Sequence, residues 1–471
     1  MEVLERLVLI INDILWSYIL IILLIGLGIY FTIKTRFVQF RYLKEMIKLL
    51  ASGVKSSNTE EKGVTSFQAF SISIASRVGT GNIAGVALAI SLGGPGAVFW
   101  MWLIALIGAA SAFIESTLAQ LYKEDNGDNT FKGGPAYYME KGLNSKGMGI
   151  AFSILITISF GFIFNSVQSN TISIALYNSF GVDRLTVGII VSAITALVVF
   201  GGVQRVAKIS ERIVPTMAII YIVMALFILV TNISKVPSVI TLIYENALGL
   251  REVAGGTLGG LILLGVKRGL FSNEAGMGSA PNAAATADVS HPVVQGLIQT
   301  LAVFVDTLVI CSCTVIIVLL SSADYSDKSL SGITLVQKAL ISEVGSWAGT
   351  FLSICILLFA FSSIVGNYYY GEANIEFLNS NKKLMDLYRL VVIIMVLFGS
   401  IVEVEIVWTL ADLFMGLMAV LNLIAIAILS KKACILLDDY SKQKKKGINN
   451  PEFIAKNING MEEFTIWNRK K

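Results

Sequence analysis

The feature that most constrains this chain is an apolar segment, Phe67 to Leu92, that polar residues interrupt at its centre. Both flanks have the composition of membrane helix, whereas the stretch from Ser76 to Asn82 reads Ser-Arg-Val-Gly-Thr-Gly-Asn. Unwound backbone at membrane depth survives only where protein buries it or where it lines a water-filled cavity. The segment therefore predicts two half-helices that meet at an unwound stretch inside a helical bundle.

A second interrupted segment lies late in the chain and runs from Gly265 to Gly276. It includes the charged residues Lys267, Arg268 and Glu274. A pair of glycine-broken spans in corresponding positions of two halves is typical of secondary transporters, whose binding site lies between the breaks. The two segments together predict a transporter with two discontinuous helices.

The composition supports a protein that lies within a bilayer. Of the 471 residues, 55% are hydrophobic and 14% charged, whereas soluble domains carry about 25% charged residues. The four cysteines lack the spacing of a metal site or a disulfide framework, and the single histidine, His291, cannot build a zinc site. We expect His291 to cap the helix that begins near Pro292.

Runs of about twenty apolar residues predict an all-α polytopic protein with about eleven transmembrane helices. A basic amphipathic stretch, Arg36 to Lys62, follows the first span, and a basic tail that we expect to be only partly ordered follows Lys431. The predicted spans are Trp16–Ile33, Phe67–Leu92, Ala97–Leu121, Ile150–Tyr177, Leu185–Gly202, Ile213–Val230, Leu258–Ala280, Val293–Leu320, Trp347–Tyr370, Leu390–Ile401 with its flanks, and Ile406–Leu429.

Charge predicts the orientation of these spans in the cell membrane. With the N-terminus outside and the C-terminus in the cytoplasm, most of the 36 Lys and Arg residues fall on the inner face. Without the first span, ten remain, and the breaks fall in the first and sixth, which suggests a five-plus-five inverted repeat. The predicted regions are an N-terminal helix with its basic segment (1–64), a first repeat (65–230), an extracellular connection (231–255), a second repeat (256–430) and a cytoplasmic tail (431–471).

The first break offers two kinds of ligand-binding group. A half-helix that begins at mid-membrane leaves backbone N–H groups free, and these favour a carboxylate near Thr80 and Gly81. The half-helix that ends between Ala75 and Val78 leaves carbonyl oxygens free, which are ligands for a desolvated alkali cation. A carboxylate site beside a cation site predicts a symporter for a small zwitterion.

Several polar residues at membrane depth allow more than one interpretation. The break glycines serve either ligand approach or close helix packing, and their spacing does not match a nucleotide-binding loop. Gln168 contacts either a neighbouring helix or substrate, and Ser362 and Ser363 bond either to their own helix or to a cation. Four acids could each pair with a basic residue or carry a proton: Glu115, Glu274, Asp306 and Asp412.

Three long motifs resemble the alanine or glycine:cation symporter family. They are the stretches from Gly93 to Gly108, Lys132 to Met139 and Gly269 to Pro281, and the likeness extends from about Ser66 to Leu429. The resemblance implies alanine and glycine as substrates and sodium as the coupling ion. It also implies a fold similar to the leucine-transporter (LeuT) class, with one extra N-terminal helix.

That resemblance assigns roles by position. It implies that the helix unwinds around substrate from Gly79 to Asn82, which includes Thr80 and Gly81. It also implies that the substrate pocket is lined by Gln168, Phe271 and Asn273. The implied sodium ligands are the carbonyls of Ala75 and Val78 and the hydroxyls of Ser362 and Ser363. Asn82 matches an asparagine of a second sodium site in some proteins of that fold. Whether this chain has such a second site is left open by the sequence.

Arg77 departs from the general LeuT-class pattern, in which a neutral residue is usual beside the break. A fixed positive charge near a sodium site repels the ion unless an acid neutralises it, so we expect a charge pair or gate between Arg77 and Glu274.

The predicted function is therefore sodium-coupled import of small neutral amino acids by alternating access. Proton coupling is the first alternative, and a channel or an amino-acid sensor on the same scaffold is the second. We predict neither an enzyme nor a nucleic-acid partner, and no cofactor besides the coupling ion.

Overall fold

The structure is a computed structural model that describes residues 2–56, 64–126, 130–200, 202–250, 257–327 and 329–468. Regular structure in these ranges is almost entirely helical, and the exception is a hairpin of β1 (Glu124–Asp125) and β2 (Phe131–Lys132). Eight helices in the described part of the chain are long and apolar enough to cross a membrane, and two shorter apolar helices add to them. The all-α membrane architecture is therefore confirmed, whereas the count of eleven spans and the inverted repeat stay predictions.

The N-terminal region forms a long helix that contains π-helical turns and is followed by two shorter helices. Its π-helical turns at Leu15–Leu20 direct Trp16 inward, where Nε1 donates to the carbonyl of Asp412 at 3.1 Å. Residues 57–63 of the predicted amphipathic stretch lie outside the described residues. The helices of this region are α1 (Glu2–Ile14), α2 (Ile21–Lys34), α3 (Val38–Arg41) and α4 (Leu43–Ser56).

The next region carries the first interruption. Thr65 caps its first helix through a capping box with Gln68. π-Helical turns at Gly81–Gly85 precede α6, and those at Thr157–Phe164 join α9 to α10. The helices are α5 (Ser66–Arg77), α6 (Val86–Gly93), α7 (Gly96–Leu121), α8 (Pro135–Gly142), α9 (Lys146–Ile156), α10 (Asn165–Phe180), α11 (Arg184–Val199) and α12 (Gly202–Thr231).

The last region carries the second interruption and ends in the longest helix. π-Helical turns at Phe304–Cys311 join α16 to α17, and short 3₁₀ turns lie at Ile233–Lys235, Ala455–Asn457 and Thr465–Asn468. The helices are α13 (Val236–Ala247), α14 (Leu258–Asn273), α15 (Ala280–Thr286), α16 (Pro292–Val303), α17 (Ser312–Leu320), α18 (Gly332–Val344), α19 (Trp347–Leu378), α20 (Lys382–Ile401) and α21 (Val404–Lys445).

Both interruptions exist, but they are shorter than the polar stretches in the sequence. Helix α5 continues through Arg77, and only residues 78 and 79 leave helical structure, because Thr80 already has helical dihedral angles before the π-helical turns begin. Helix α14 continues through Lys267 and Arg268 to Asn273, and the second break spans 274–279. A polar side chain alone does not unwind a helix, because a partner on a neighbouring helix satisfies it while the backbone bonds stay intact.

The C-terminal tail differs from the expectation of partial order. Helix α21 continues beyond the predicted span to Lys445, and the chain then reverses at Gly447, whose φ of +81° suits glycine. Residues 448–468 fold back beneath the helical bundle, where Phe453 and Trp467 are buried. Buried aromatic side chains anchor this segment, which charge composition alone does not reveal.

Candidate substrate and ion site

The backbone N–H groups of the first interruption carry side-chain partners. The N–H of Gly79 donates to Oδ1 of Asn82 at 2.9 Å, and the N–H of Thr80 donates to Oε1 of Gln168 at 3.0 Å. Gln168 comes from α10 and is buried. The amides that the sequence assigns to a carboxylate thus already hold oxygen acceptors, and the acceptor on Thr80 comes from another helix.

The glycines of this interruption lie against residues that the sequence assigns to the site. A Cβ on Gly79 would overlap Oγ of Ser363 and lie 2.9 Å from Oε1 of Gln168. A Cβ on Gly81 would lie 3.0 Å from the ring of Phe271. Of the two interpretations of these glycines, close packing is therefore observed, and it is packing against the predicted substrate and sodium residues themselves.

An aromatic wall borders the first interruption. Phe271 of α14 stacks on Phe164 with ring centroids 4.6 Å apart, and it lies 4.7 Å from the ring of Trp408 of α21. Gly85, one turn after the break, lies next to Trp408 as well, with a Cβ contact of 3.5 Å. Sequence reasoning found Phe271 but missed Trp408, whose only signal was an aromatic residue one turn before the intramembrane Asp412.

An ion-pair cluster covers the aromatic wall. Nη2 of Arg268 lies 2.6 Å from Oδ2 of Asp412, and Nζ of Lys267 lies 3.3 Å from the same oxygen. The Arg268 guanidinium also lies 4.7 Å from the ring of Trp408, within the range of a cation–π contact. The structure thus pairs charges that the sequence left unpaired, and it joins α14 to α21 beside the break.

The predicted sodium ligands are only partly brought together. The hydroxyl of Ser363 lies 3.4 Å from the carbonyl of Val78 and 3.1 Å from the carbonyl of Phe359 on its own helix, so one side-chain oxygen and one backbone oxygen of the predicted set adjoin. The hydroxyl of Ser362 instead donates to the carbonyl three residues earlier on α19 and lies 3.7 Å from the sulfur of Met217. Ala75 is buried at the end of α5. An oxygen site for a cation fits Val78 and Ser363, whereas Ser362 needs another rotamer to join it.

The second interruption is held by a buried acid from α7. The carboxylate of Glu115 accepts the N–H groups of Gly276 and Gly278 at 3.1 and 3.2 Å, and Nδ2 of Asn422 at 2.7 Å. Both glycines have φ near +84°, a conformation that glycine adopts without a steric cost. The hydroxyl of Tyr138 donates to Asn422 in turn. Glu115 therefore fixes the unwound backbone against α7 and α21.

Glu274 links the two interruptions. Its carboxylate accepts the hydroxyl of Ser76 of α5 at 2.9 Å and the hydroxyl of Ser279 at 2.5 Å. The neighbouring Asn273 uses its amide oxygen to accept the N–H of Ala275 at 3.0 Å. Nδ2 of Asn273 has no hydrogen-bond partner among the described residues, which leaves a donor available in the pocket that the resemblance predicts.

The expected contact between Arg77 and Glu274 does not form. The structure has no ion pair within 4.0 Å between these two described residues, and Nη1 of Arg77 instead donates to the carbonyl of Gln299 at 3.4 Å. The Arg77 charge acts electrostatically on Glu274, Glu115 and Asp306 alike. Arg77 therefore interacts with several buried acids at a distance rather than with Glu274 by contact.

Asp306 lies in a polar niche behind the first interruption. Its carboxylate accepts Nδ2 of Asn82 at 2.7 Å, the hydroxyl of Ser272 at 2.7 Å and the hydroxyl of Thr307 at 2.9 Å. These donors come from both broken segments and from the π-helical turns of 304–311. The niche leaves the proton-carrier interpretation of Asp306 open.

Comparison with known proteins gives a consistent result. A family profile described as "Sodium:alanine symporter family" matches residues 1–455. The chain is 56% identical over 472 residues to the "Probable sodium/glutamine symporter GlnT" of Bacillus subtilis, which covers 100% of this chain and 98% of that protein.

Two further relatives carry alanine in their names. The chain is 37% identical over 431 residues to the "Sodium/alanine symporter AgcS" of Methanococcus maripaludis, covering 89% of this chain and 93% of that protein. It is 37% identical over 438 residues to the "Sodium/proton-dependent alanine carrier protein" of Bacillus sp. strain PS3, covering 90% and 97%.

Among solved structures, the chain is similar to MhsT in complex with L-phenylalanine. The TM-score is 0.58 at 15% sequence identity, covering 81% of this chain and 99% of that chain. At this identity the likeness shows the fold alone, and that fold is LeuT-like.

Proposed function

The chain belongs to the sodium:alanine symporter family, and from this premise we propose that it imports small neutral amino acids, alanine and glycine first, by sodium-coupled alternating access. Family membership makes it a transporter rather than an enzyme, as the sequence predicts. The observation that carries the proposal is the hydrogen bond from the N–H of Thr80 to Oε1 of Gln168. That amide oxygen occupies the place of a carboxylate oxygen at the unwound backbone.

Substrate binding then follows as an exchange of acceptors. The carboxylate of the amino acid replaces Oε1 of Gln168 on the N–H of Thr80, because a charged acceptor makes the stronger hydrogen bond. The side chain of Gln168 turns its amide N–H groups toward the same carboxylate. The substrate ammonium donates to backbone carbonyl oxygens of 274–279, whereas the free amide N–H donor of Asn273 suits a carboxylate oxygen.

The coupling ion occupies the space between α5 and α19. The carbonyl of Val78 and the hydroxyl of Ser363 supply two of its oxygen ligands, and the carbonyl of Ala75 and a reoriented hydroxyl of Ser362 complete the set. Such hard oxygen ligands suit an alkali cation. The ion draws the end of α5 toward α19 and so orders the N–H groups that the substrate uses.

The aromatic wall limits substrate size. The rings of Phe271, Phe164 and Trp408 pack on one another beside Gly81. A closed pocket with such walls disfavours longer side chains through overpacking. Glutamine is nevertheless the second substrate to test, because a relative with 56% identity is named a sodium/glutamine symporter.

We expect inward transport, with the N-terminus outside and the tail in the cytoplasm, because the sodium gradient and the membrane potential both drive sodium into the cell. Moving one net charge inward across about 100 mV contributes about 2.3 kcal/mol, and a tenfold sodium gradient adds about 1.4 kcal/mol. Together, roughly 3.7 kcal/mol supports several-hundred-fold accumulation.

Proton coupling is the second candidate, and the niche of Asp306 is the observation that favours it. This buried carboxylate contacts groups from both broken segments and is able to exchange a proton as those segments move. The name of the PS3 relative includes both ions.

The experiment that tests the proposal is uptake of labelled alanine, glycine and glutamine into proteoliposomes. An inward sodium gradient is compared with an inward proton gradient without sodium. We expect sodium-dependent uptake that Ser363→Ala abolishes or shifts to higher sodium concentration, with a smaller effect of Ser362→Ala. Uptake driven by protons alone, insensitive to both substitutions, would replace sodium with Asp306 as the coupling element.

A further inference from the structure

The last described residues of the chain form a segment with its own contacts, which we term the C-terminal strap (446–468). Its first contact is with the loop between α15 and α16 (287–291). The N–H of Phe453 donates to the carbonyl of Ser290 at 2.9 Å, and the hydroxyl of Ser290 donates to the carbonyl of Pro451 at 2.9 Å. Two reciprocal bonds thus join the strap to the loop that follows the second half of the broken helix.

Aromatic anchors fix the strap at both ends. The ring of Phe453 lies 5.6 Å from those of His291 and Trp467. Nε1 of Trp467 donates to the carbonyl of Leu121 at the end of α7, and Nζ of Lys123 lies 4.6 Å from its ring. The strap therefore begins at α21, crosses the α15–α16 loop and ends on α7.

The end of α15 is held by the same part of α7. Nε2 of Gln120 donates to the carbonyls of Ala284 and Ala287, and Nζ of Lys123 donates to Ala287 at 2.9 Å. The N–H of Asp288 donates to the carbonyl of Val64, just before α5, at 3.0 Å. The outer ends of both broken helices and the strap thus meet at one place.

This arrangement places the strap across the path that the α15–α16 loop would take if the site opened toward the tail side. When the site opens toward the tail side, the parts of α5 and α15 that are nearer the tail separate from the rest of the bundle. Such motion also breaks the bonds of Gln120 and Lys123 to the end of α15, and the α15–α16 loop then moves with α15, whereas the strap stays tied to α21 and α7. Opening therefore breaks the bonds of Ser290 and withdraws the loop from Phe453.

We propose that the C-terminal strap is an autoinhibitory latch, which clamps the α15–α16 loop and keeps the tail-side entrance closed until it is released. The proposal rests on the proposed function only in requiring alternating access, and it names neither substrate nor ion. We expect loss of the aromatic anchor to shift the equilibrium toward the tail-side-open state, because opening would cost the strap contacts.

The test uses the full chain with a cysteine reporter on the half of α5 that is nearer the first break. Ser73 is fully buried and donates to Oε1 of Gln299 at 2.6 Å, so a cysteine there reacts with a membrane-impermeant maleimide from the tail side only when that side opens. The background is Cys434→Ser, because Cys434 is the most exposed of the four described cysteines. The strap variant is Phe453→Ala, and the matched control is Lys456→Ala, whose side chain is exposed in the same segment.

We expect Phe453→Ala to raise the labelling rate of the reporter by about threefold or more, with Lys456→Ala unchanged. Equal labelling of both variants, or slower labelling of Phe453→Ala, would overturn the latch. The readout needs no substrate or ion, so it is independent of whether the proposed function holds.

A second measurement covers the case in which Phe453→Ala does not fold. Cysteines in place of Ser290 and Glu452 are joined by a short, reducible bis-thiosulfonate reagent. The readout is uptake of the amino acid that the proteoliposome assay identifies as the substrate. We expect this uptake to fall roughly tenfold on cross-linking and to return on reduction. Full uptake by the cross-linked protein would show that the strap does not leave the loop and would overturn the proposal.

Discussion

The side-chain oxygen of Gln168 accepts the backbone N–H of Thr80 across 3.0 Å and so joins α10 to the unwound part of α5. A substrate carboxylate that uses this N–H must displace the glutamine first. The same side chain lies 2.9 Å from where a Cβ on Gly79 would stand. Gln168 therefore occupies the acceptor position on the N–H of Thr80 and leaves no room for a side chain at position 79.

Replacement of this glutamine with a carboxylate tests the acceptor exchange. We expect Gln168→Glu to lower substrate affinity roughly tenfold or more, because a charged acceptor bonds the Thr80 N–H more strongly and repels the substrate carboxylate. Sodium-dependent binding of labelled alanine to the purified protein measures this. Gln337→Glu is the control, since Gln337 is buried away from the break against Ser353. An unchanged affinity in Gln168→Glu would contradict the exchange.

Alanine substitutions at three glycines separate close approach from general helix packing. We expect Gly79→Ala to abolish uptake, because its Cβ overlaps Oγ of Ser363. Gly85→Ala makes only an ordinary contact of 3.5 Å with Trp408, and Gly147→Ala meets nothing within 4 Å. Initial uptake rates, normalised to the amount of folded protein, should be lowest for Gly79→Ala, intermediate for Gly85→Ala and highest for Gly147→Ala. Comparable activity of Gly79→Ala and Gly147→Ala would be inconsistent with the geometry.

The ion-pair cluster predicts unequal effects of its members on stability. Asp412→Asn leaves both Arg268 and Lys267 without their acid, and an uncompensated buried charge costs about 3–5 kcal/mol. Arg268→Gln should cost less, because Lys267 still lies 3.3 Å from Asp412. Thermal unfolding in detergent measures the order, and the Arg268→Gln, Asp412→Asn double variant should lose less stability than the sum of the two. A milder effect of Asp412→Asn than of Arg268→Gln would refute this account.

The single histidine predicts how stability depends on pH. Burial lowers the pKa of His291, an effect that its hydrogen bond to Asp439 partly opposes. Because the folded-state pKa lies below the unfolded value of about 6.5, neutral His291 stabilises the folded state relative to its protonated form. This contribution to the free energy of unfolding is complete above about pH 6.5. It is lost as the pH falls through the folded-state pKa. The melting temperature should therefore fall between pH 7.5 and 5.5, and less so in His291→Asn, whose side-chain oxygen still caps α16.

The helical membrane architecture and the positions of both interruptions are predictable from the sequence, because long apolar runs and glycine-containing breaks are local signals. The bounds of the breaks are not. Arg77 and Arg268 stay helical, although their charges suggest unwinding. Arg268 has Asp412 as its partner, and a satisfied side chain leaves the backbone free to stay helical.

The sequence also identified Gln168, Phe271, Val78 and Ser363, which the structure brings to the first break. The positions of Trp408 at the first break and of Asn422 at the second had no clear signal in the sequence. The expected contact of Arg77 with Glu274 was wrong, because sequence gives the charges at membrane depth but not their distances.

By itself, the sequence determined that this protein lies in a membrane, that two of its helices are broken, and where the first break lies along the chain. These properties depend on hydropathy and glycine, which act over a few residues. Only the tertiary structure decided that Asp412 pairs with Arg268, that Glu115 holds the second break and that the tail reaches α7. Such contacts join residues more than a hundred positions apart, and packing of the whole bundle sets which of them meet.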